Sequence, residues 1–298
     1  MLERYLLRYF LAVADQGSFS RAASQCNVTQ PTLSVGIAKL EREVGTPLFL
    51  RSSRRVQLTE AGVRFLVHAR RIEVEFNVAL QEMSSKTTAP ALRIGLLLSI
   101  PGDRIARGVG ASRLCGDASP IEVIYGTERE LVGHLVRGRL DVALTLVGRG
   151  SDRFLEQPLL TEGYTLALSR DHPLAEHDQI AAEALADNVM IVRRHCEALS
   201  ETSRYFVERG VRPRFALRST NDERVLQMVA AGLGVTVMPE SYQHPDVICP
   251  RLIGFDITRS LGFAYANGAE HIGDDPPNLL LAIASELGAQ GLNRNTTP

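Results

Sequence analysis

The sequence predicts an α/β protein built from an N-terminal winged helix-turn-helix, a long linker helix and a two-lobed α/β region. Three observations predict it. Residues 1–60 carry three short helical patterns and then a basic hairpin, and residues 59–86 carry one long, broken apolar stripe. From residue 91 onward, apolar strand patterns alternate with helical stretches, which is typical of α/β architecture.

Apolar spacing and capping residues indicate the first two helices. The first helix has an apolar face formed by Leu2, Leu6, Tyr9, Phe10 and Val13. Gly17 is suited to ending it, and Ser18 or Ser20 can cap the next helix with a side-chain oxygen. The second helix is short, and Ala22 and Ala23 allow a neighbouring helix to pack closely against it.

The third helix is the candidate for entering a DNA groove. Thr29 is a good N-cap, Pro31 suits the first turn, and Gly45 can end the helix. The expected buried stripe consists of Leu33, Ile37, Leu40 and Val44. The opposite face carries short polar side chains near the start of the helix, as base-edge and phosphate contacts require. After it, Leu48–Leu50 and Val56–Leu58 can pair as a two-stranded wing.

The predicted DNA contacts come from the second helix, the third helix and the turn of the wing. They are Ser18, Ser20, Arg21, Thr29, Gln30, Pro31, Thr32, Ser34, Val35, Lys39, Arg51, Arg54 and Arg55. Through residue 60 the chain has eight Arg or Lys against five Asp or Glu, a net charge of +3, whereas the whole chain is −1. This concentration of positive charge favours DNA binding over an ordinary helical core with a charged surface.

Residues 18–62 resemble the DNA-binding domain of LysR-type transcriptional regulators. The matching residues are Ser18-Phe19, Ala22-Ala23, Thr29-Gln30-Pro31, Ser34, Ile37, Leu40-Glu41, Gly45, Pro47-Leu48-Phe49, Arg51 and Leu58-Thr59-Glu60-Ala61-Gly62. Val35 and Gly36 depart from the family, which usually has polar or basic residues just after the serine. Val35 can contact a thymine methyl group.

The resemblance implies a linker helix followed by a two-lobed effector-binding domain like periplasmic binding proteins. It also implies dimers or tetramers that bind an interrupted inverted repeat of double-stranded DNA, with RNA polymerase as a further candidate partner. We therefore predict a DNA-binding domain over 1–59, a linker (dimerisation) helix and hinge over 60–90, and an effector-binding domain over 91–298. Within this last domain, lobe I would comprise 91–161 and 267–298, and lobe II would comprise 162–266.

The long helix over 59–86 is expected to pair with its copy from another subunit. Its apolar stripe is broken by charged residues, and it ends in the linker Thr87–Pro90 with little flanking core. Packing on its own domain is the alternative. Two-fold pairing would place two recognition helices on successive groove faces of one duplex.

The region from residue 91 is predicted to form a mostly parallel α/β sheet in two lobes joined by two crossovers. Strands are predicted over 91–98, 120–125, 140–146, 163–169, 188–192, 213–218, 234–238 and 260–266. Helices are predicted near 103–114, 128–137, 198–209 and 222–231, with a last helix that carries Leu279, Leu280, Ile283 and Leu287. Two such lobes enclose a cleft between them.

A small ligand in that cleft should lie at the carboxyl ends of strands, where helix N-termini direct N–H groups inward. The residues there match the positions that line the effector pocket in the resembled family: Ser99, Ile100, Pro101, Thr127, Ile191, Arg193, Arg194, Cys196, Thr220 and Asn221. We expect Ser99, Thr127 and Asn221 to hydrogen-bond the effector, and Arg193 or Arg194 to neutralise it if it is an organic acid. The alternative is that the arginines are solvated and the polar groups only cap helices.

Cys196 raises a second function. Arg193-Arg194-His195 places three potential positive charges beside this thiol, which predicts a lowered pKa and raised reactivity. The His-Cys pair resembles the peroxide-sensing branch of the family, so the alternative is a thiol-based, redox-responsive regulator. That branch uses a second cysteine shortly downstream, and Tyr205 stands near that position. A buried, inert cysteine is the competing interpretation.

Composition and motifs argue against other classes of protein. No apolar run reaches the length of a membrane span, no signal-peptide pattern appears, and the four cysteines lack metal-ligand spacing. We expect a cytoplasmic protein without a cofactor. Asp171, His172, His177 and Asp178 cluster in a Pro-containing loop that is more typical of a polar turn than of a metal site. Without a Gly-rich phosphate loop, a nucleophile elbow or a secretion signal, neither an enzyme nor a solute carrier is expected.

Overall fold

The structure is a computed structural model that describes residues 3–50, 56–84, 91–116, 119–150 and 153–289. Two compact units make up the chain, one built on Met1–Pro90 and the other on Ala91–Leu135 and Arg139–Pro298. The predicted linker over 87–90 lies outside the described residues. Within the described ranges, no helix is long and apolar enough to cross a membrane.

The first unit has three short helices, a two-stranded wing and a long helix. In chain order these are α1 (Arg4–Gln16), α2 (Phe19–Gln25), α3 (Gln30–Val44), β1 (Phe49–Leu50), β2 (Gln57–Leu58) and α4 (Glu60–Ser84). As predicted, Gly17 and Gly45 end α1 and α3 in the left-handed region, at φ 57° and 77°. Ser18 and Thr29 cap α2 and α3. The wing strands β1 and β2 pair antiparallel.

One apolar core holds this unit together. Leu33, Ile37 and Leu40 of the predicted stripe are buried against α1. The ring of Phe10 contacts those of Phe49 in the wing and Phe65 in α4, with centroids 5.2 and 5.1 Å apart. Aromatic packing on α1 therefore fixes the wing and the start of α4, and the aliphatic stripe of α3 fixes the recognition helix in the same core.

The second unit alternates strands and helices. In chain order these are β3 (Leu92–Leu97), α5 (Gly102–Leu114), β4 (Ile121–Gly126), α6 (Glu128–Val136), β5 (Val142–Leu146), β6 (Leu155–Ser169), β7 (Gln179–Ile180), β8 (Val189–Arg193), α7 (Leu199–Glu208), β9 (Arg214–Ser219), α8 (Asp222–Ala230), β10 (Thr236–Pro239), β11 (Val247–Ile248), β12 (Arg251–Leu252), β13 (Thr258–Tyr265), α9 (His271–Asp274) and α10 (Asn278–Glu286). A 3₁₀ turn spans Ala182–Leu185.

The main sheet has the strand order β10-β6-β13-β5-β3-β4 and is mixed. Strand β3 is parallel to β4 and β5, as the alternation predicts. The strands β6 and β13 run antiparallel to each other, and β13 is also antiparallel to β5. The prediction of a mostly parallel sheet is wrong here, because the chain crosses between lobes once in each direction. Strand β6 accordingly begins at Leu155, eight residues before the predicted start at 163.

The second unit contains separate apolar cores on either side of the crossing strands. The first contains strands β3 and β5 and helix α10, with Ile94, Leu144 and Leu280 fully buried. The others lie around β8, β10 and helices α7 and α8, and include Phe206 and Val225. We call the half around the first core lobe I and the half around the other cores lobe II. The end of β3 in lobe I and the end of β8 in lobe II lie near the strands that connect the lobes.

Candidate functional site

The first half of α3 presents an exposed polar face, which we call the recognition face. Gln30, Pro31 and Thr32 are exposed, and Ser34 is half-buried. The Thr29 hydroxyl accepts a hydrogen bond from the backbone N–H of Thr32 at 3.3 Å, and Gln30 Nε2 donates to Ser34 Oγ at 3.0 Å. Polar groups of this kind, exposed near the start of a helix, can exchange such local hydrogen bonds for contacts to base edges.

Val35 and Gly36, where the sequence departs from the family pattern, have different structural environments. Val35 is 67% exposed and lies next to the recognition face. Gly36 is buried, and a Cβ at this position would lie 2.6 Å from Cδ2 of Tyr9. Close packing of α3 on α1 therefore accounts for glycine at this position.

The predicted cationic contacts that the structure describes, Lys39 and Arg21, have intramolecular partners. Lys39 Nζ lies 2.6 Å from Glu3 Oε1, and this hydrogen bond raises the pKa of Lys39. Arg21 is exposed and donates to the carbonyl oxygen of Gln16 at 2.6 Å, while Ser20 is exposed beside it. Arg51, Arg54 and Arg55 lie outside the described residues. Contact with a phosphate would thus replace an internal partner for both Lys39 and Arg21.

The position of the wing depends on a carboxylate in α3. Glu41 Oε1 accepts hydrogen bonds from the backbone N–H groups of Leu48 and Phe49, at 2.8 and 3.2 Å. Because these donors start β1, Glu41 sets where the chain leaves the recognition helix and enters the wing. The Leu40-Glu41 pair of the sequence pattern therefore supplies one core residue and one anchor for the wing.

The helix α4 packs on α1 through ion pairs and also has an exposed apolar stripe. Arg4 Nε lies 2.8 Å from Glu73 Oε1, and Arg70 Nη2 lies 2.8 Å from Asp15 Oδ1. The exposed stripe consists of Ile72, Phe76 and Leu80, which are spaced four residues apart and therefore lie on one side of the helix. Large apolar side chains repeated on one side of a long helix are typical of a surface that contacts another chain.

The second candidate site is a crevice between the lobes of the second unit, with a volume of about 260 Å³. The residues that line it are Leu98, Ile100, Gly102, Tyr125, Thr220, Asn221, Asp222, Glu223 and Tyr242. The crevice thus brings together Ile100, Thr220 and Asn221 of the predicted effector residues. Pro101 precedes α5 and Ile191 is buried in β8, next to but not among the lining residues.

A buried ion cluster joins the two lobes beside this crevice. Arg259 of β13 donates to Ser99 Oγ and to the Ser99 carbonyl, at 2.8 and 2.9 Å, and to Glu162 Oε1 at 2.7 Å. It is also ion-paired with Glu197, which follows β8, and Tyr164 donates to the same carboxylate at 2.8 Å. Ser99 belongs to lobe I and Glu197 to lobe II, so one guanidinium contacts both lobes.

The cluster holds its charges through mutual pairing. Burial alone would raise the pKa of Glu197, but the Arg259 charge and further hydrogen bonds outweigh it, so the Glu197 pKa lies below its ordinary value. Among the described residues, Glu197 Oε2 has no hydrogen-bond partner although it is buried. An oxygen of this kind is an acceptor that a donor from a ligand can satisfy.

The predicted hydrogen-bonding groups of the effector site already have partners inside the protein. The Thr127 hydroxyl donates to Glu130 at 2.8 Å, and Asn221 caps α8 by accepting from the N–H of Arg224 at 2.9 Å. Arg193 is 2% exposed and ion-paired with Asp222. Arg194, in contrast, is exposed. The charge of Arg193 beside the crevice is therefore already balanced by Asp222 of the same protein.

The environment of Cys196 differs from the prediction. Burial raises the pKa of this thiol, and the nearby Arg193 charge only partly opposes the effect. Arg193 Nη1 lies 3.4 Å from Cys196 Sγ, but Arg194 and His195 are exposed. The predicted lowering of the pKa is wrong because two of the three expected charges point into solvent. All four cysteines of the chain are free thiols.

Sequence reasoning missed the residues that dominate this site. Arg259, Glu162 and Glu197 were not among the candidates, and the first two lie just before the predicted strands 260–266 and 163–169. A charged residue next to an apolar strand can indicate a buried ion pair, because a charge that is buried with the strand needs a partner. The predicted strand bounds exclude both residues by one position, whereas in the structure Glu162 and Arg259 are buried within β6 and β13.

The predicted polar turn around His172 has no metal-like geometry. His172 Nε2 lies 2.7 Å from Asn188 Oδ1, and its Nδ1 accepts from the N–H of Leu174 at 3.1 Å. In the part of the chain that the structure describes, no group of three or more His, Cys, Asp or Glu residues is arranged to hold a metal ion.

A helix-turn-helix with a wing, joined in one chain to a two-lobed unit with an inter-lobe crevice, defines a DNA-binding regulator of the ligand-responsive class. Family models agree with both parts. Residues 5–63 match the bacterial regulatory helix-turn-helix protein, lysR family, and residues 86–272 match the LysR substrate binding domain. The chain belongs to the LysR family of transcriptional regulators, which confirms the resemblance seen in the sequence.

Similar curated proteins include transcriptional regulators, one of which is named for its response to hydrogen peroxide. The chain is 32% identical over 237 residues to a hydrogen peroxide-inducible genes activator of Pectobacterium carotovorum subsp. carotovorum, covering 78% of each chain. It is 30% identical over 272 residues to the DNA-binding transcriptional dual regulator OxyR of Escherichia coli, covering 88% of this chain and 89% of that protein.

Solved structures share the fold. A full-length, singly substituted OxyR from Pseudomonas aeruginosa superposes with a TM-score of 0.57 at 23% identity, covering 98% of this chain and 99% of that one. HinK, a LysR family regulator from Pseudomonas aeruginosa, gives a TM-score of 0.55 at 21% identity, covering 97% and 98%. The winged helix-turn-helix and two-lobed α/β architecture is thus confirmed at the level of the fold.

Proposed function

We propose that the recognition face of α3 reads base edges in a major groove, and that a ligand in the inter-lobe crevice controls how the DNA is held. One observation carries the proposal: Gln30 and Thr32 are exposed on the first half of α3, next to a wing, in a chain of the LysR family. Arg21 and Lys39 would contact phosphates beside this face, and Arg51, Arg54 and Arg55 would do so from the wing.

The exposed stripe of α4 supports the predicted pairing of two subunits on an interrupted inverted repeat. A two-fold dimer presents two recognition helices to two half-sites, and the half-site spacing follows from the geometry of the dimer. Paired stripes would also remove exposed apolar surface from water. The protein acts without a catalytic step in this proposal and works in the cytoplasm.

Replacement of Gln30 tests the recognition face. We expect Gln30→Ala to weaken binding to the preferred DNA sequence about tenfold, because a well-placed side-chain contact to a base contributes ~1–3 kcal/mol of discrimination. Fluorescence anisotropy with labelled genomic fragments selected by the unaltered protein measures the affinity.

Gln25→Ala is the matched control, because Gln25 is an exposed glutamine on α2 outside the recognition face. The affinity of Gln25→Ala for the preferred DNA should equal that of the unaltered protein. The recognition face would have no role in reading sequence if Gln30→Ala and the unaltered protein bound selected DNA with equal affinity and also bound random DNA with equal affinity.

The effector would act through the ion cluster. Arg259 and Arg193 are already paired with Glu197 and Asp222. An acidic effector would therefore bind one of these arginines by displacing its carboxylate partner. Exchange at Arg259 releases Glu197 of lobe II from a guanidinium that also binds Ser99 of lobe I, and so changes lobe closure. Exchange at Arg193 acts within lobe II, because Asp222 belongs to the same lobe. The effector must bind the two arrangements with unequal affinity, or the equilibrium does not shift.

Thiol oxidation is the second candidate function, and the name of the relative from Pectobacterium carotovorum favours it. In this version, hydrogen peroxide oxidises the Cys196 thiolate to a sulfenic acid and is itself reduced to water. Cys196 lies between Arg193 and Glu197, so a change in its size and polarity would act on the ion cluster. The raised thiol pKa and the buried Tyr205 of α7, near the place of a second cysteine, argue against it.

Mass spectrometry after mild peroxide treatment separates the two candidates. If Cys196 is a sensor, it should gain oxygen before the exposed Cys115 does, and the treated protein should change its DNA affinity. Because burial raises the Cys196 pKa, we expect Cys196 to react more slowly than Cys115. Preferential oxidation of Cys196 would contradict that expectation and favour the redox function.

A further inference from the structure

Lobe II contains a second cavity that is separate from the inter-lobe crevice. It lies between α7 and the strands β8 and β9, has a volume of about 730 Å³, and shares no lining residue with the crevice. Volumes of ~300–1,000 Å³ are typical of sites for small molecules. The volume of this cavity therefore lies within that range, whereas the crevice, at about 260 Å³, lies just below it.

The wall of the cavity is apolar. Its inner part is formed by core residues, of which Met190, Phe206 and Val211 are at most 4% exposed. At the mouth, Val207 and Phe215 are 60% and 52% exposed. Covering such side chains with an apolar molecule removes hydrocarbon surface from water, which stabilises the complex.

The charge at the cavity is positive and uncompensated. None of the residues that line it is acidic, and the exposed Arg212 and Arg218 both line it. Within the described ranges neither arginine takes part in an ion pair, and Arg218 only lies over the Phe215 ring at 5.6 Å. The third lining arginine, Arg193, is buried and already paired with Asp222.

We propose that this cavity binds an amphipathic monocarboxylate. The apolar body of the ligand lies between α7 and the sheet, and its carboxylate pairs with Arg218 beside Phe215 at the mouth, while Arg212 adds positive charge at the other end of β9. A guanidinium is well suited to a carboxylate, because it donates two parallel hydrogen bonds. This site is independent of the crevice and of the DNA contacts proposed above.

The position of the cavity gives binding a route to the lobe junction. Cys196 lines the cavity, and the next residue, Glu197, is ion-paired with Arg259 between the lobes. Helix α7, which forms one wall, begins two residues later at Leu199. A ligand that shifts the start of α7 therefore acts on the segment that holds Glu197.

Isothermal titration calorimetry of the full chain tests the proposal with decanoate and decylammonium, which share a chain length but differ in charge. We expect one decanoate to bind per chain and decylammonium to bind at least about tenfold more weakly, since arginines repel a cation. Raising the salt concentration should weaken decanoate binding, because the arginines are exposed.

Three variants locate the site. The double variant Arg212→Glu/Arg218→Glu should weaken decanoate binding about tenfold or more, and Ser203→Phe should abolish it by filling the exposed mouth. Arg214→Glu is the matched control, because Arg214 is an exposed arginine of β9 that does not line the cavity. Its affinity for decanoate should match that of the unaltered protein.

Several outcomes would overturn the proposal. These are no decanoate binding at millimolar concentration, equal binding of decylammonium, or decanoate binding that survives both the double variant and Ser203→Phe, which would place the acid elsewhere. Sedimentation of the double variant could give a further outcome that overturns the proposal. If it changes the oligomer mass while decanoate does not bind, the cavity is a contact between copies of the chain.

Discussion

At the scale of single residues, function and stability depend on side chains whose partners lie in other elements of the fold. Glu41 of α3 is an example, because its carboxylate accepts hydrogen bonds from two backbone N–H groups at the start of the wing. Gly36 is another, because its missing Cβ lets Tyr9 pack against α3. Neither residue needs to touch DNA to affect how the recognition face is presented.

Replacement of Glu41 should therefore destabilise the first unit. We expect Glu41→Ala to lower the free energy of unfolding by ~1–3 kcal/mol, because it leaves two partly buried N–H donors without an acceptor. Glu41→Gln keeps an acceptor oxygen and should lose less. Urea unfolding followed by circular dichroism compares the variants, and an alanine variant as stable as the unaltered protein would show that water replaces the carboxylate.

At the scale of elements, the junction between the wing and α4 depends on close backbone contact. Thr59 donates through its N–H to the Leu48 carbonyl at 3.0 Å and through its hydroxyl to the Pro47 carbonyl at 2.8 Å. The Thr59 hydroxyl also accepts from the N–H of Gly62 at 2.9 Å. A Cβ on Gly62 would overlap the Leu48 carbonyl oxygen, so the first turn of α4 requires glycine.

A pair of glycine substitutions tests this junction. We expect Gly62→Ala to destabilise the protein by ~1–3 kcal/mol, because relieving the overlap must move backbone atoms. Gly110→Ala in α5 is the control, since a Cβ there meets open space. It should be neutral or stabilising by up to ~1 kcal/mol, the helix-propensity difference between glycine and alanine. Similar thermal unfolding of both variants would contradict the close contact at Gly62.

At the scale of the whole molecule, the two lobes of the second unit are joined covalently by the crossing strands and electrostatically by the Arg259 cluster. Arg259 is 3% exposed, and its partners come from both lobes. A buried charge that loses a partner is costly, so rearranging the lobes requires a replacement partner. Such a cluster is suited to a regulator, because a ligand can supply that partner.

The lowered pKa of Glu197 gives this cluster a pH dependence. A carboxyl group whose pKa is depressed in the folded state stabilises the protein at pH values above its pKa in the unfolded state, which is about 4.5. This contribution is lost as the pH falls through the folded pKa. We expect Glu197→Gln to lower the free energy of unfolding by ~1–3 kcal/mol at pH 7, and by less at pH 4.

Urea unfolding at both pH values measures this difference. Glu208→Gln, at the exposed end of α7, serves as the control and should have little effect at either pH. A loss of stability in Glu197→Gln that is identical at pH 7 and pH 4 would show that Glu197 acts through packing and not through its charge.

The sequence by itself determined the order of the longer helices and strands, the cap of α3, the stops at Gly17 and Gly45, and the polar face of α3. These depend on local spacing and local hydrogen bonds, which a linear pattern contains. It left the cap of α2 open between Ser18 and Ser20, and it did not indicate the short strands β7, β11 and β12. The dense motif over residues 18–62 also determined the family, because it combines core, cap and turn residues in fixed positions.

Only the tertiary structure decided which charges meet. The crossing strands bring Arg259 to Ser99, Glu162 and Glu197. Packing within lobe II pairs Arg193 with Asp222 and buries Cys196, which raises the pKa of its thiol. Burial and pairing energies depend on distance in space and on access of water, and neither can be read from neighbours along the chain.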